Sequence, residues 1–124
     1  MTITVPIYYQ QSKKKRVLMG LNWLRTAHFQ VINKAKKHYH ELIMCACNQT
    51  KPIRGAVHVH YDIYVGRKGT DGGNIRSVIE KFVLDGLVKA KVLKDDNFEI
   101  VVSDSANYYL DRGNPRAEIT VTKK

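Results

Sequence analysis

The sequence predicts an α+β fold: a small mixed sheet of about four strands with two main helices, in the order β-α-β-α-β-β. Three observations lead there. Two long stretches, one from Thr26 and one from about Asn74, repeat apolar residues every three or four positions, as amphipathic helices do. Shorter stretches alternate apolar and polar residues, the clearest being AVHVHYDIYV. The 124 residues are 44% hydrophobic and 26% charged, with only 3 Pro and 8 Gly, which suits one folded domain over residues 1–124 and not a disordered chain.

Ile3, Val5 and Ile7 alternate with Thr2, Thr4 and Pro6, a half-buried strand that Pro6 places at a sheet edge. Tyr8 and Tyr9 follow, then the basic run from Lys13 to Arg16 and the stretch VLMGLNWL, where Gly20 and Asn22 predict a loop. The first helix starts near Thr26 as cap, with Phe29, Ile32, Ala35, Tyr39, Leu42, Ile43 and Ala46 as its apolar stripe. Lys34 and Lys37 lie opposite that stripe, and Lys36, His38 and His40 flank it. His28 joins His38 and His40 on this cationic surface.

The strand from Val57 to Val65 puts Val57, Val59, Tyr61, Ile63 and Val65 on a core face. His58, His60, Asp62 and Tyr64 form a polar face that suits solvent, a cleft or a subunit contact. The glycine-rich loop GRKGTDGGN leads into the second helix, whose stripe is Ile75, Val78, Ile79, Phe82, Val83, Leu87 and Ala90. VLKDDN gives a short apolar element and a turn. FEIVVSD and PRAEITVTK read as the last two strands, joined by the polar stretch SANYYLDRGN. No internal repeat, low-complexity segment or linker interrupts this order.

Lys and Arg number 21 against 11 Asp and Glu, a formal charge of +10, which points to polyanionic partners. The charge is uneven. Residues 1–54 carry ten basic side chains and one acid, Glu41, whereas residues 55–124 carry eleven basic and ten acidic. A cationic helix beside a basic loop suits a phosphate backbone, although a solvated basic surface has the same composition. The N-terminal residues lack the pattern of a signal peptide, and no apolar run approaches the ~20 residues that span a bilayer, so no membrane partner is expected. Cys45 and Cys47 stand one residue apart and cannot staple distant segments, which fits a reducing cytoplasm. With His58 and His60 they would supply four zinc donors, but the spacing within each pair is poor for zinc. No Walker, dinucleotide or Gly-x-Ser-x-Gly fingerprint is present.

Acids concentrate around the second helix, in the stretch TDGGNIRSVIEKFVLDGLVKAKVLKDD. Asp71 precedes the helix and Asp95 and Asp96 follow it. If the fold brought them together, their mutual repulsion would call for a hard divalent cation, which binds one or two carboxylates and completes its shell with water and phosphate oxygens. Read singly, Asp71 is a helix-dipole partner and Asp95 and Asp96 are turn residues.

From Lys81 onward the chain resembles the RusA-type Holliday junction resolvases, small phage and prophage endonucleases. That family's pattern is an Asp-x-Asp-Asn loop, a helix bearing Lys, then Asp-[Ala/Gly]-Leu, an Asp-Asp turn, and Pro-Arg entering the last strand. Here these are Lys81; Asp85, Gly86 and Leu87; Asp95 and Asp96; and Pro115 with Arg116. The loop departs from the pattern: Asp71, Gly72, Gly73 and Asn74 keep the first acid, and Gly73 stands in place of the second. About four more residues separate Asn74 from Lys81 than in the shortest members, one extra helical turn.

The resemblance implies a metal-dependent endonuclease that resolves Holliday junctions and other branched DNA by paired phosphodiester hydrolysis, working as a homodimer with Mg²⁺ or Mn²⁺ in the cytoplasm, that of a bacterial host if phage-encoded. It implies catalytic roles for Asp71, Asp96 and Lys81, and metal ligation by Asp71, Asp95 and Asp96. Asp85 is expected in a supporting role, with an intrahelical pair to Lys81 as its simplest contact. Asp62 is a candidate to replace the missing carboxylate. Lys13, Lys14, Lys15, Arg16, Lys34, Lys36, Lys37, Arg67, Lys68 and Arg76 are the candidate DNA contacts. The alternative is a catalytically weakened or inactive DNA-binding protein on the same scaffold. An RNA-binding or structural phage protein rests on charge and aromatics alone.

Overall fold

The computed structural model describes all 124 residues and has the expected α+β class. A four-stranded mixed sheet is built from β1 (Thr2–Val5), β4 (Val57–Val65), β5 (Val101–Leu110) and β6 (Arg116–Lys123), in the order β1-β6-β4-β5. β6 runs antiparallel to β1 and β4, and β5 runs parallel to β4. Two 18-residue helices, α2 (Phe29–Ala46) and α3 (Gly72–Lys89), supply the second layer. β1 is an edge strand, as Pro6 suggested.

Five elements depart from the sequence reading. The stretch read as a loop holds a hairpin, β2 (Tyr8–Ser12) against β3 (Lys15–Leu18), and a short helix, α1 (Leu21–Thr26). Two-residue hairpin turns favour left-handed residues such as Asn-Gly, but neither Lys13 nor Lys14 has positive φ, and a register shift between Gln10 and Ser12 accompanies the turn. The cap of α2 lies two residues after the expected one. His28 is its N-cap, Nδ1 accepting from the Gln30 amide at 3.2 Å, whereas Thr26 ends α1 with its hydroxyl donating to the Asn22 carbonyl at 2.8 Å. β5 extends through the stretch SANYYL, which alternation alone left outside the sheet, and Phe98 and Glu99 precede it in a turn.

One core of 24 buried residues joins the layers. Val57, Val59, Tyr61 and Ile63 of β4 and Ala117, Ile119 and Val121 of β6 meet the stripe of α3, where Ile75, Val78, Ile79, Phe82, Val83, Leu84 and Leu87 are buried. The α2 stripe is rotated from the expected one: Ala35, Tyr39, His40, Ile43 and Cys47 face inward, whereas Phe29, Leu42 and Ala46 are exposed. Tyr39 stands edge-on to Phe82, and its hydroxyl donates to the Pro6 carbonyl. Gly86 sets the spacing of the two helices, because a Cβ there would lie 2.5 Å from Ile43 Cδ1.

The end of α3 directs the following acids. Lys91 takes a left-handed conformation with φ 61°, and the amides of Val92 and Leu93 return to the Leu87 carbonyl. Such a residue closes a helix and reverses the chain. Val92 and Leu93 are buried, so the Asp95–Asp96 turn is held back against the flank of α3. No helix is long and apolar enough to cross a membrane.

Candidate functional site

The structure separates the expected acid triad. Asp71 is the N-cap of α3, its Oδ1 accepting from the Asn74 amide at 3.3 Å. Asp96 instead lines a cleft against the middle of α3, beside Lys81 and Asp85. Lys81 follows Asp71 by ten residues of helix, a rise of about 15 Å, so the flanks of α3 do not meet at one site. No group of three or more His, Cys, Asp or Glu side chains is gathered as a metal cage.

What the fold does assemble is a cleft of about 360 Å³ between α2 and α3, with Leu24 of α1 on its wall. Its polar lining is Lys36 from α2, Glu80, Lys81 and Asp85 from α3, and Asp96 from the returning turn. Lys36 Nζ stands 3.5 Å from Asp85 Oδ2, both side chains being about two-fifths exposed. Asp85 therefore pairs across helices, not with Lys81, which has no salt-bridge partner. At this exposure the ion pair contributes little to stability. Its consequence is positional: a carboxylate and two ammonium groups share one opening.

Asp95 organises the turn that presents Asp96. Its Oδ1 accepts from the Asp96 amide at 2.7 Å and its Oδ2 from Asn97 Nδ2 at 3.1 Å, while Asn97 Oδ1 accepts from the amides of Glu99 and Ile100. With both oxygens engaged, Asp95 positions its neighbour. Desolvation first, then side-chain hydrogen bonding with Asp95 and the charges of Asp95 and Asp85, hold the Asp96 carboxyl above its usual range against an opposing backbone hydrogen bond. Glu80 is also pushed up, mainly by burial, with Arg76 opposing and Asp104 adding to the shift. Three acids thus border the opening at positions where ionisation is disfavoured for two of them.

The candidate DNA contacts fall into groups. Lys13, Lys14, Lys15 and Arg16 occupy the exposed tip and outgoing strand of the β2–β3 hairpin, with the Arg16 guanidinium 3.9 Å from the centre of the Tyr8 ring. Arg67 and Lys68 are exposed in the loop before α3, and Lys34 and Lys37 are exposed on α2. Lys36 belongs to the cleft. Arg76 is engaged: it forms an ion pair with Asp104 of β5 and stands 5.2 Å from the Tyr61 ring, which removes it from the free cationic surface.

His28 serves as a helix cap, His38 stands beside Tyr9 with ring centres 6.2 Å apart, and His40 is buried. Burial first, then the charges of Lys89 and Lys36 against that of Asp85, lower the His40 pKa, so His40 is not part of a cationic surface. Asp62 lies on the far face of the sheet and hydrogen-bonds His60 Nε2 at 2.9 Å. His58 and His60 also share the Ser105 hydroxyl, at 2.9 and 2.5 Å. The sheet therefore separates Asp62 from the cleft, and separates both histidines from Cys47, which is buried in the core.

The sequence did not mark Lys36 and Glu80 as cleft residues, and the Lys36 partner of Asp85 was not legible in it. The usable signal for Asp85 was the Asp-Gly-Leu triplet, where the glycine permits the close helix approach that carries Lys36 to Asp85. Neither a scan against protein-family models nor a search of curated proteins finds a match for this chain.

Proposed function

We propose that this chain is a RusA-like, metal-dependent, structure-specific endonuclease that acts on branched DNA, above all four-way junctions, as a homodimer. The observation that carries the reading is the convergence of Asp85 and Asp96 with Lys36 and Lys81 in one cleft of a strongly basic protein. Two carboxylates close enough for one to raise the pKa of the other are a donor set that suits Mg²⁺ or Mn²⁺. Asp85 and Asp96 would hold the cation, and Asp95 fixes the turn that aims Asp96. Bound there, the ion would activate water and neutralise charge on the scissile phosphate. Lys81 contacts the phosphate, and Lys36 offsets the charge of Asp85. The hairpin tip, the Arg67–Lys68 loop and the exposed lysines of α2 hold the DNA arms. A two-fold dimer presents two such clefts to a two-fold substrate, giving paired nicks.

Asp71 takes the helix-cap role in this reading. Gly73 tests that assignment. A Cβ at Gly73 would meet only Asp71 Oδ1, at 3.4 Å, so Gly73→Asp fits without displacing the backbone. Better helix propensity and an acid in the first turn favour it by about 0.5 kcal/mol after opposition from Asp71. Unchanged junction cleavage is the expected result. A gain of metal-dependent nicking would move the metal to the α3 N-terminus and favour the second reading, a DNA-binding protein that retains the scaffold after losing an acid.

A further inference from the structure

A second cavity, of about 460 Å³, lies on the other side of α1, between β3, α1 and the start of α3. Val17, Leu18, Leu21 and Ile75 give it apolar walls, and Trp23 closes it. The Trp23 indole N–H is buried and has no acceptor in the chain, although buried donors are nearly always paired. The rest of the cavity lining mixes donors and acceptors: Asn22, Thr26, Thr70, Asp71 and Asn74.

The cavity contains no Lys or Arg and one carboxylate, in a protein of net charge +10. A phosphate would meet repulsion from Asp71 there and no counter-charge. The cations stand at the borders instead: Lys15 and Arg16 immediately precede Val17, and Arg67 and Lys68 precede Thr70. The hairpin also reaches this loop in space, since the Tyr8 hydroxyl lies 3.6 Å from where a Gly66 Cβ would be. An apolar-walled cavity with mixed hydrogen-bonding groups within and cations outside matches a neutral flat ring carried on an anionic strand. About 460 Å³ falls in the ~300–1,000 Å³ range of small-molecule pockets.

We propose that this cavity receives an unpaired nucleobase from the bound DNA, Trp23 and the apolar wall meeting the ring and Asn74, Thr70 and Asp71 reading the base edge. The inference rests on the DNA-binding reading above and adds where an unstacked base at a branch goes. Asn74 and Lys81 are seven residues apart on α3, about 10 Å along the axis, so a base held here would set which phosphate of its strand lies near the Asp85–Asp96 cleft. Unpaired bases cost least to extrude, which gives the pocket a means of preferring branched over paired DNA.

Trp23 is the single tryptophan and lines this cavity, so its emission gives one signal from the cavity wall. The test uses the full chain without divalent metal and three DNAs: a paired duplex, the same duplex with one bulged nucleotide, and that bulge made abasic. Binding is read by anisotropy of end-labelled DNA, and Trp23 emission with unlabelled DNA. The bulged duplex is expected to change Trp23 emission and to bind roughly 5- to 100-fold more tightly than its abasic version, the range given by base stacking in other proteins. The paired and abasic DNAs should leave emission unchanged. Asn74→Ala, whose side chain makes no hydrogen bond within the chain, should shrink the base-dependent difference. Binding of all three DNAs with equal affinity and unaltered emission would overturn the pocket while leaving DNA binding intact. Absence of binding to all three with a four-way junction still bound would overturn the pocket alone, and absence of binding to the junction as well would overturn both readings.

Discussion

Replacement of Asp96 by Asn is expected to reduce cleavage of a four-way junction by about 10²-fold or more while leaving junction binding equal or tighter, because on the proposed function it removes a metal-holding carboxylate and one negative charge facing the DNA. The amide is nearly isosteric, and Asp96 lies in an exposed turn whose hydrogen bonds come from Asp95 and Asn97, so the fold should persist. Electromobility and cleavage assays on the same protein separate the two effects. Stability supplies an independent readout. The Asp96 pKa is raised in the folded chain, so its favourable contribution is present below the unfolded pKa and is lost as pH rises through the folded one. At neutral pH without metal the ionised side chain therefore opposes folding, and Asp96→Asn should raise Tm by about 1–3 °C, small because the group is exposed. Added Mg²⁺ should raise the Tm of the wild type and not that of the variant. Equal cleavage by both proteins would remove Asp96 from the site.

The second large effect is expected at the hairpin. Substituting Lys13, Lys14 and Lys15 together by Ala should weaken junction binding on the order of 10²-fold at ~0.15 M salt and lower the slope of log K against log salt by roughly 2–3, if each lysine neutralises one phosphate. All three are exposed, so circular dichroism should be unchanged. Arg16 is kept because its stacking on Tyr8 supports the hairpin itself. An unchanged salt slope would show that the hairpin points away from the DNA.

The parts of the fold that were legible in the sequence are those whose burial has a period. β4 alternates, and α3 repeats every three or four residues, because each packs one face on the core and leaves the other wet. The hairpin carries no such record: its turn is Lys13–Lys14, without the Asn-Gly or Asp-Gly signature, and its strands are largely exposed. α1 spans six residues and buries none fully, too short for a stripe. β5 was half legible because it is an edge strand whose last four residues, Asn107 to Leu110, are exposed.

The site divides the same way. Lys81, Asp85 and Asp96 were singled out by the resemblance that starts at Lys81, and the structure places all three in one cleft. Asp71 was grouped with Asp96 because sequence spacing does not reveal whether a helix folds its two ends together, and an 18-residue helix holds them apart. Lys36 and Glu80 come into the cleft through the packing of α2 on α3 at Gly86, a contact between segments more than forty residues apart. Arg76 looked free because Asp104, its partner on β5, lies 28 residues away.

The most direct test of the central claim is incubation of the purified chain with an end-labelled synthetic four-way junction, with and without Mg²⁺ or Mn²⁺, followed by mapping of the products. Symmetric nicks in opposing strands that need the metal and disappear in Asp96→Asn are the expected result. An intact junction with either metal, or nicks that persist in the variant, would contradict the endonuclease proposal.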